Sequence, residues 1–183
     1  MSDISEIKQK IANQNMEFLQ KNFVDLSGKK ILDIGFGLGY NSKAMSDLGA
    51  TVYGVEPDAT AFKYAISNGL IEQANAFNCS LQNIPDNLLG TFDIVTVFLY
   101  CIDLAERDEF ASTLARAIKP DGTVVIGITD EAFLKPYKYI KPAYFIMYSY
   151  FASVRLIENG FNVNKLFVLA KEPLILKKNE PHI

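Results

Sequence analysis

The stretch ILDIGFGLGYNS, Ile31 to Ser42, carries three alternate glycines, Gly35, Gly37 and Gly39, between an apolar run and what reads as the first turn of a helix. Glycine has no side chain to hold a ligand away and enters left-handed conformations readily, so such a turn brings backbone close to a bound molecule. The spacing narrows the choice of ligand. A dinucleotide fingerprint, G-x-G-x-x-G, would need glycine where Tyr40 stands, and the phosphate-loop pattern G-x-x-x-x-G-K-S/T is absent. The frame that remains is G-x-G-x-G.

Outward from this turn the chain alternates strand and helix. KKILDIG (29–35), TVYGVEPD (51–58), ANAFNCS (74–80), TFDIVTVFLY (91–100) and TVVIGITD (123–130) read as strands. The fourth is almost continuously apolar, as a strand covered on both faces should be. Between them NSKAMSDLG (41–49), ATAFKYAISNGL (59–70) and RDEFASTLARAIKPDG (107–122) read as helices, the last with a proline and glycine stop. Such alternation implies a parallel, doubly wound sheet. Upstream, Ile7, Ile11, Phe18 and Leu19 predict an amphipathic helix over about 5–23. After Asp130 come an aromatic-rich stretch, a helix through FASVRLIENG (151–160), and FNVNKLFVLA and EPLILKKN, two strands so close that they must run antiparallel.

Composition bounds the function. A chain of 183 residues with 49% hydrophobic and 21% charged residues is of ordinary soluble, globular type. The net charge of −3 supplies no field to draw nucleic acid. The opening MSDISEIKQK lacks a basic and apolar leader, and no apolar run approaches the ~18 residues of a membrane span, so a cytoplasmic protein without membrane insertion is expected. Cys79 and Cys101 lie in apolar segments and are expected as buried free thiols, and the one histidine, His182, is penultimate. No metal is expected, and a Ser-His-Asp hydrolase is poorly served.

Taken in order, these segments resemble class I S-adenosylmethionine-dependent methyltransferases. LDIGFGLG resembles that family's first motif, an acidic residue before G-x-G-x-G. Glu56, 21 residues after Gly35, stands where the family has an acid that binds both ribose hydroxyls. SLQNIPD sits where D-A-x-x-L-P is common, FDIVTVFLY matches the fourth-strand motif, AIKPDGTVVIGI resembles L-K-P-G-G and the fifth strand, and LIENGFNV the segment leading to the final strand pair. The resemblance spans about Leu32 to Ala170. It implies an α/β fold with a doubly wound, Rossmann-like sheet of seven strands, mostly parallel with an antiparallel last strand, and helices on both faces. One domain over 1–183 is expected: 1–28 a helix and lead-in, 29–130 the cofactor-binding half, 131–183 an acceptor-side segment with the terminal strands.

The same resemblance implies S-adenosyl-L-methionine as cofactor and gives residues their roles. Amides of Gly35, Gly37 and Gly39 would face its methionine moiety, Asp33 would engage the ammonium directly or through water, and Glu56 would accept from the ribose. Ser80 and Leu81 would lie at the adenine edge, Ser80 replacing the family's frequent aspartate; Phe36, Pro57 and Phe98 complete the set. Taken singly, Gly35 also reads as a strand terminator, Glu56 as a solvated strand end and Phe98 as core, and Asp93 reads as a strand-start residue without a catalytic role.

Methyl transfer from a sulfonium is an in-line displacement that demands alignment more than a universal catalytic residue. For a hydroxyl or protonated amine a base helps, and Tyr100, Asp103 and Asp130, after the fourth and fifth strands, are the candidates. Tyr100, Tyr137, Tyr144 and Tyr148, with Lys135, Lys138 and Lys141 alongside, would form an acceptor pocket with aromatic walls and a basic rim, suited to an aromatic or anionic small molecule. Tyr144, Met147, Tyr148 and Phe151 also fit plain helical packing. The oligomeric state is not legible. Two other readings stay open: a non-catalytic cofactor-binding or interaction module, and an NAD-dependent oxidoreductase, which Glu56 favours and Tyr40 opposes.

Overall fold

The computed structural model describes residues 4–22, 25–98, 107–129, 153–158 and 164–170. In chain order its elements are helix α1 (Ile4–Asn22), strand β1 (Lys30–Ile34), α2 (Tyr40–Asp47), β2 (Thr51–Val55), α3 (Ala59–Ser67), β3 (Ala76–Phe77), β4 (Phe92–Phe98), α4 (Arg107–Ala117), β5 (Ile118–Thr129), β6 (Ser153–Glu158) and β7 (Asn164–Ala170). The strands lie in the order β3-β2-β1-β4-β5-β7-β6. Strands β1 to β5 pair in parallel, β1 lying between β2 and β4. The expected doubly wound parallel sheet is therefore present, and its strand order reverses between β1 and β4. In open α/β sheets ligands bind at that reversal, beyond the carboxyl ends of the strands. The glycine turn follows β1 at that place.

Alternation along the strands divides the core into two layers. Leu32 and Ile34 of β1, with Val95 and Val97 of β4, pack against Phe110, Ala111 and Leu114 of α4. Ile31, Ile94 and Phe98 face the other way, toward α1, α2 and α3 through Leu19, Met45 and Ala65. Asp33 and Thr96, in register across β1 and β4, share the parity of this second layer. Asp58 caps α3, its Oδ1 accepting from the amides of Thr60 and Ala61 at 2.8 Å each. Such a cap is worth about 1 kcal/mol.

Three expectations are corrected. The buried stripe of α1 is Ala12, Asn15, Met16 and Leu19, while Ile7 and Ile11 are exposed, at 48% and 37%. Both stripes have helical spacing; Asn15 decides between them, because its Nδ2 donates to Asn41 Oδ1 of α2 at 3.0 Å and fixes which face docks. Ser153–Glu158, expected inside a helix, is a strand, paired antiparallel with β7 with Leu156 in register with Phe167. Val154 and Ile157 satisfy a helical period and Val154 and Leu156 an alternating one, so a neighbouring strand with unpaired backbone settles the conformation. Strand β7 in turn runs antiparallel to β5. Cys79, expected buried, is half-buried, its Sγ 3.7 Å from the Asn83 carbonyl. EPLILKKN and Cys101 lie outside the described residues.

Asp93 anchors the start of β4 as expected. Its Oδ2 accepts from the Lys30 amide at 2.8 Å and its Oδ1 from Lys119 Nζ at 2.6 Å. Burial alone would raise this carboxyl, but these two hydrogen bonds hold it below the usual carboxylate range. Between Phe92↔Ile118 and Ile94↔Thr123 the pairing of β4 with β5 is irregular, and the K-P-D-G segment there delivers Lys119 to Asp93.

Candidate active site

The turn after β1 is tied to the end of β2. The Gly35 amide donates to the Val55 carbonyl at 2.8 Å, and the Gly37 amide donates to Glu56 Oε2 at 2.8 Å. Glu56 Oε1 accepts from the Asp58 amide at 2.8 Å. Its carboxylate, 7% exposed, thus joins the glycine turn to the entrance of α3. Each oxygen has accepted one bond and keeps a further lone pair, an acceptor pair of the kind that two vicinal hydroxyls can donate to.

The three glycines differ in role. Gly37 has φ +56°, and a Cβ built on it would meet no atom within 4 Å. Gly39 has φ +89°, a Cβ there would meet Leu70 Cβ at 2.9 Å and Ala65 Cβ at 3.1 Å, and its amide donates to the Phe36 carbonyl at 2.9 Å. Gly37 leaves a cradle beside Glu56, whereas Gly39 permits close packing of the turn on α3 and the segment after it. Both glycines are legible as a motif; only the packing around them separates a ligand position from a packing position.

Asp33 lies inward of this cradle, 2% exposed. Ser42 Oγ donates to its Oδ2 at 2.6 Å and Thr96 Oγ1 to its Oδ1 at 2.9 Å. Burial pushes this carboxyl up to about 6, the charge of Glu56 adds to the rise, and the two hydroxyls oppose it. Ser42 and Thr96 were not singled out in the sequence. Thr96 is the one polar residue inside the apolar run of β4, and a buried hydroxyl there needs a partner.

Asn78 is a third residue whose part in the site the sequence did not show. Its Nδ2 donates to the carbonyls of Glu56 at 2.7 Å and Pro57 at 3.2 Å, clamping the bend that presents Glu56. Ser80 precedes a short turn over Leu81–Asn83, and its Oγ accepts from Asn83 Nδ2 at 3.1 Å. Leu81, Phe36 and Phe98 are all buried. Phe36 packs on Phe62 with ring centroids 6.1 Å apart. Pro57 is exposed beside Glu56. Tyr100, Asp103, Asp130, Tyr137, Tyr144 and Tyr148, with Lys135, Lys138 and Lys141, lie outside the described residues. No helix among the described residues is long and apolar enough to cross a membrane.

A Rossmann-like sheet with a glycine cradle and an acid at the end of its second strand defines a nucleotide-type cofactor site. The chain belongs to the methyltransferase domain family, whose model matches residues 32–126, and within it to the class I S-adenosylmethionine-dependent methyltransferases. It is similar to the ubiquinone biosynthesis O-methyltransferase of Haemophilus ducreyi, 32% identical over 178 residues that cover 81% of this chain and 75% of that protein. The mitochondrial enzyme of the same name from Schizosaccharomyces pombe is 32% identical over 59% of this chain, but the matched part spans only 40% of that relative's length. Magnesium protoporphyrin IX methyltransferase from Synechocystis PCC 6803, solved with S-adenosylmethionine bound, shares the fold at a TM-score of 0.66 and 17% identity, covering 90% of this chain and 79% of that one. The cofactor of this family is S-adenosyl-L-methionine.

Proposed function

We propose that this chain transfers the methyl group of S-adenosylmethionine to a hydroxyl oxygen of a small-molecule acceptor. The observation that carries the reading is Glu56, held at the end of β2 by the Gly37 and Asp58 amides at 2.8 Å each, with lone pairs left over beside a turn that has room for a ligand. Oxygen as the receiving atom rests on relatives named O-methyltransferases. When bound, the cofactor supplies an activated methyl on a sulfonium centre for in-line displacement.

The protein's own part is placement. Glu56 takes the two ribose hydroxyls, Asn78 keeps the backbone of Glu56 and Pro57 at its bend, and Gly37 admits the ligand against the turn. Asp33 lends negative charge to the cofactor's ammonium. Ser80 and Leu81 border the adenine, Phe98 and Phe36 keep the neighbourhood apolar, and Gly35 and Gly39 set the path of the turn. Tyr100, Asp103 or Asp130, following β4 and β5, serves as base for the acceptor hydroxyl. Tyr137, Tyr144 and Tyr148, with Tyr100, form the acceptor wall. The proposal includes one domain over 1–183, in which 29–130 holds the cofactor. It also includes a seven-stranded sheet with an antiparallel last strand, supported by the antiparallel pairing of β7 with β5 and β6.

The test is transfer of labelled methyl from S-adenosylmethionine to a panel of phenolic and catecholic small molecules, with aliphatic amines and RNA as comparisons. Label on a hydroxyl oxygen supports the reading. Label confined to nitrogen or RNA would replace the acceptor class. Cofactor binding with no transfer to any component of a cell extract would favour a non-catalytic module.

A further inference from the structure

The buried acid at the end of β1 has unusual company. Asp33, 2% exposed, has two neutral hydroxyls as its hydrogen-bond partners, Ser42 from α2 and Thr96 from β4. The charged group acting on it is another acid, Glu56, itself 7% exposed. Two buried carboxylates thus bracket one turn, Glu56 through the Gly37 amide and Asp33 from beneath. Met45 Sδ, 4.0 Å from Thr96 Oγ1, closes the cluster from α2 without adding charge. An acid taken from water and set beside another acid holds its proton more firmly, and a cation brought to the same place expels it.

We propose that Asp33, Ser42 and Thr96 make cofactor binding proton-linked: the ammonium-bearing end of the cofactor is taken up as the Asp33 carboxyl releases a proton to solvent. The inference rests on the functional reading given above. Its balance is simple, one O–H bond broken at Asp33, one proton passed to buffer, and the carboxylate left facing the ligand's cation. The two hydroxyls set the range in which this happens, because each donates to the ionised form and so eases loss of the proton. With the carboxyl lifted to about 6 by burial, the linkage falls in the mildly acidic range. Asp33 is accordingly a positioning and charge-reading residue, and the site favours ligands that carry the ammonium group over analogues that lack it.

Calorimetric titration of the full chain with S-adenosylmethionine, in buffers of different ionisation heat, counts the protons directly. The range should stop near pH 7, since the ligand's own α-amino group titrates at roughly 7.7–8.0. The wild type is expected to release about half a proton per cofactor at pH 6, and to bind about tenfold more weakly at pH 5 than at pH 7. Asp33→Asn should lack the proton release at pH 6 and should lose less affinity than wild type between pH 7 and pH 5. Thr96→Val removes one donor and should move the midpoint of the affinity profile to higher pH, which a purely structural role would not do. Circular dichroism confirms that both variants are folded. Binding with the same proton count in wild type and Asp33→Asn would overturn this inference and leave the functional reading intact. Failure of the wild type to bind at any pH would overturn both.

Discussion

Glu56 accepts one backbone amide on each oxygen, so its removal has two separable consequences. Glu56→Ala strands the Gly37 and Asp58 N–H groups and also takes away the acceptors proposed for the ribose. We predict a loss of cofactor affinity of about 1.5–3 kcal/mol, the scale of hydrogen bonds to charged groups, measured well below the melting temperature. An unchanged affinity would remove Glu56 from the site. Gly37→Ala separates room from fold. Its Cβ meets no atom within 4 Å, but φ +56° is strained for an L residue, so about 1–2 kcal/mol of stability should be lost while cofactor binding is blocked. Retained affinity in a folded Gly37→Ala protein would place the ligand elsewhere. Asp33 titrates near 6 in the folded chain against an ordinary 3.8. Its contribution to stability is therefore fully present below pH 3.8 and is lost as pH rises through 6. Asp33→Asn carries no such penalty, so its stability relative to wild type should rise by about 2 kcal/mol between pH 4 and pH 7, on top of whatever constant difference the exchange makes at the Ser42 and Thr96 hydroxyls. A gap independent of pH, read by chemical denaturation, would contradict that account.

At the scale of elements, β2 and the turn after β1 fit because Gly54 has no side chain. A Cβ there would lie 2.5 Å from Phe36 Cδ1 and 2.7 Å from Ile71 Cδ1. Gly54→Ala should cost about 1–3 kcal/mol, the range for overpacking, and adding Phe36→Leu should restore part of it. Additive losses in the double variant would mean the two positions do not compete for space. The five parallel strands and the helices between them were legible because periodicity, caps and glycine stops agree: Asp58 caps α3, and Gly49, at φ +87°, closes α2. Strand β6 was not legible, since SVRLIE satisfies two periods and its conformation is settled by the ladder with β7. The docked face of α1 was not legible either, because Asn15 finds its partner in Asn41, 26 residues away.

For the molecule as a whole, the order of motifs revealed the cofactor half while its supporting contacts stayed hidden. Glu56, Gly37 and Asp33 stood out by spacing to the turn, and the structure brings Glu56 onto Gly37. Asn78, Ser42 and Thr96 carry no spacing signal: Thr96 meets Asp33 only when β4 pairs with β1, Asn78 meets Glu56 across the ends of β3 and β2, and Ser42 meets Asp33 only when the turn folds α2 back on β1. The same assembly sets the strand reversal beside the cradle, so the Glu56 acceptors and the Gly37 opening lie at one place with the buried Asp33 carboxyl beneath them. The central claim is that this place holds S-adenosylmethionine. Titrating the purified full chain with S-adenosylmethionine, S-adenosylhomocysteine and NADH in a calorimeter tests it most directly. Saturable binding of the first two and none of NADH is the predicted result; NADH binding without S-adenosylmethionine binding would contradict the account.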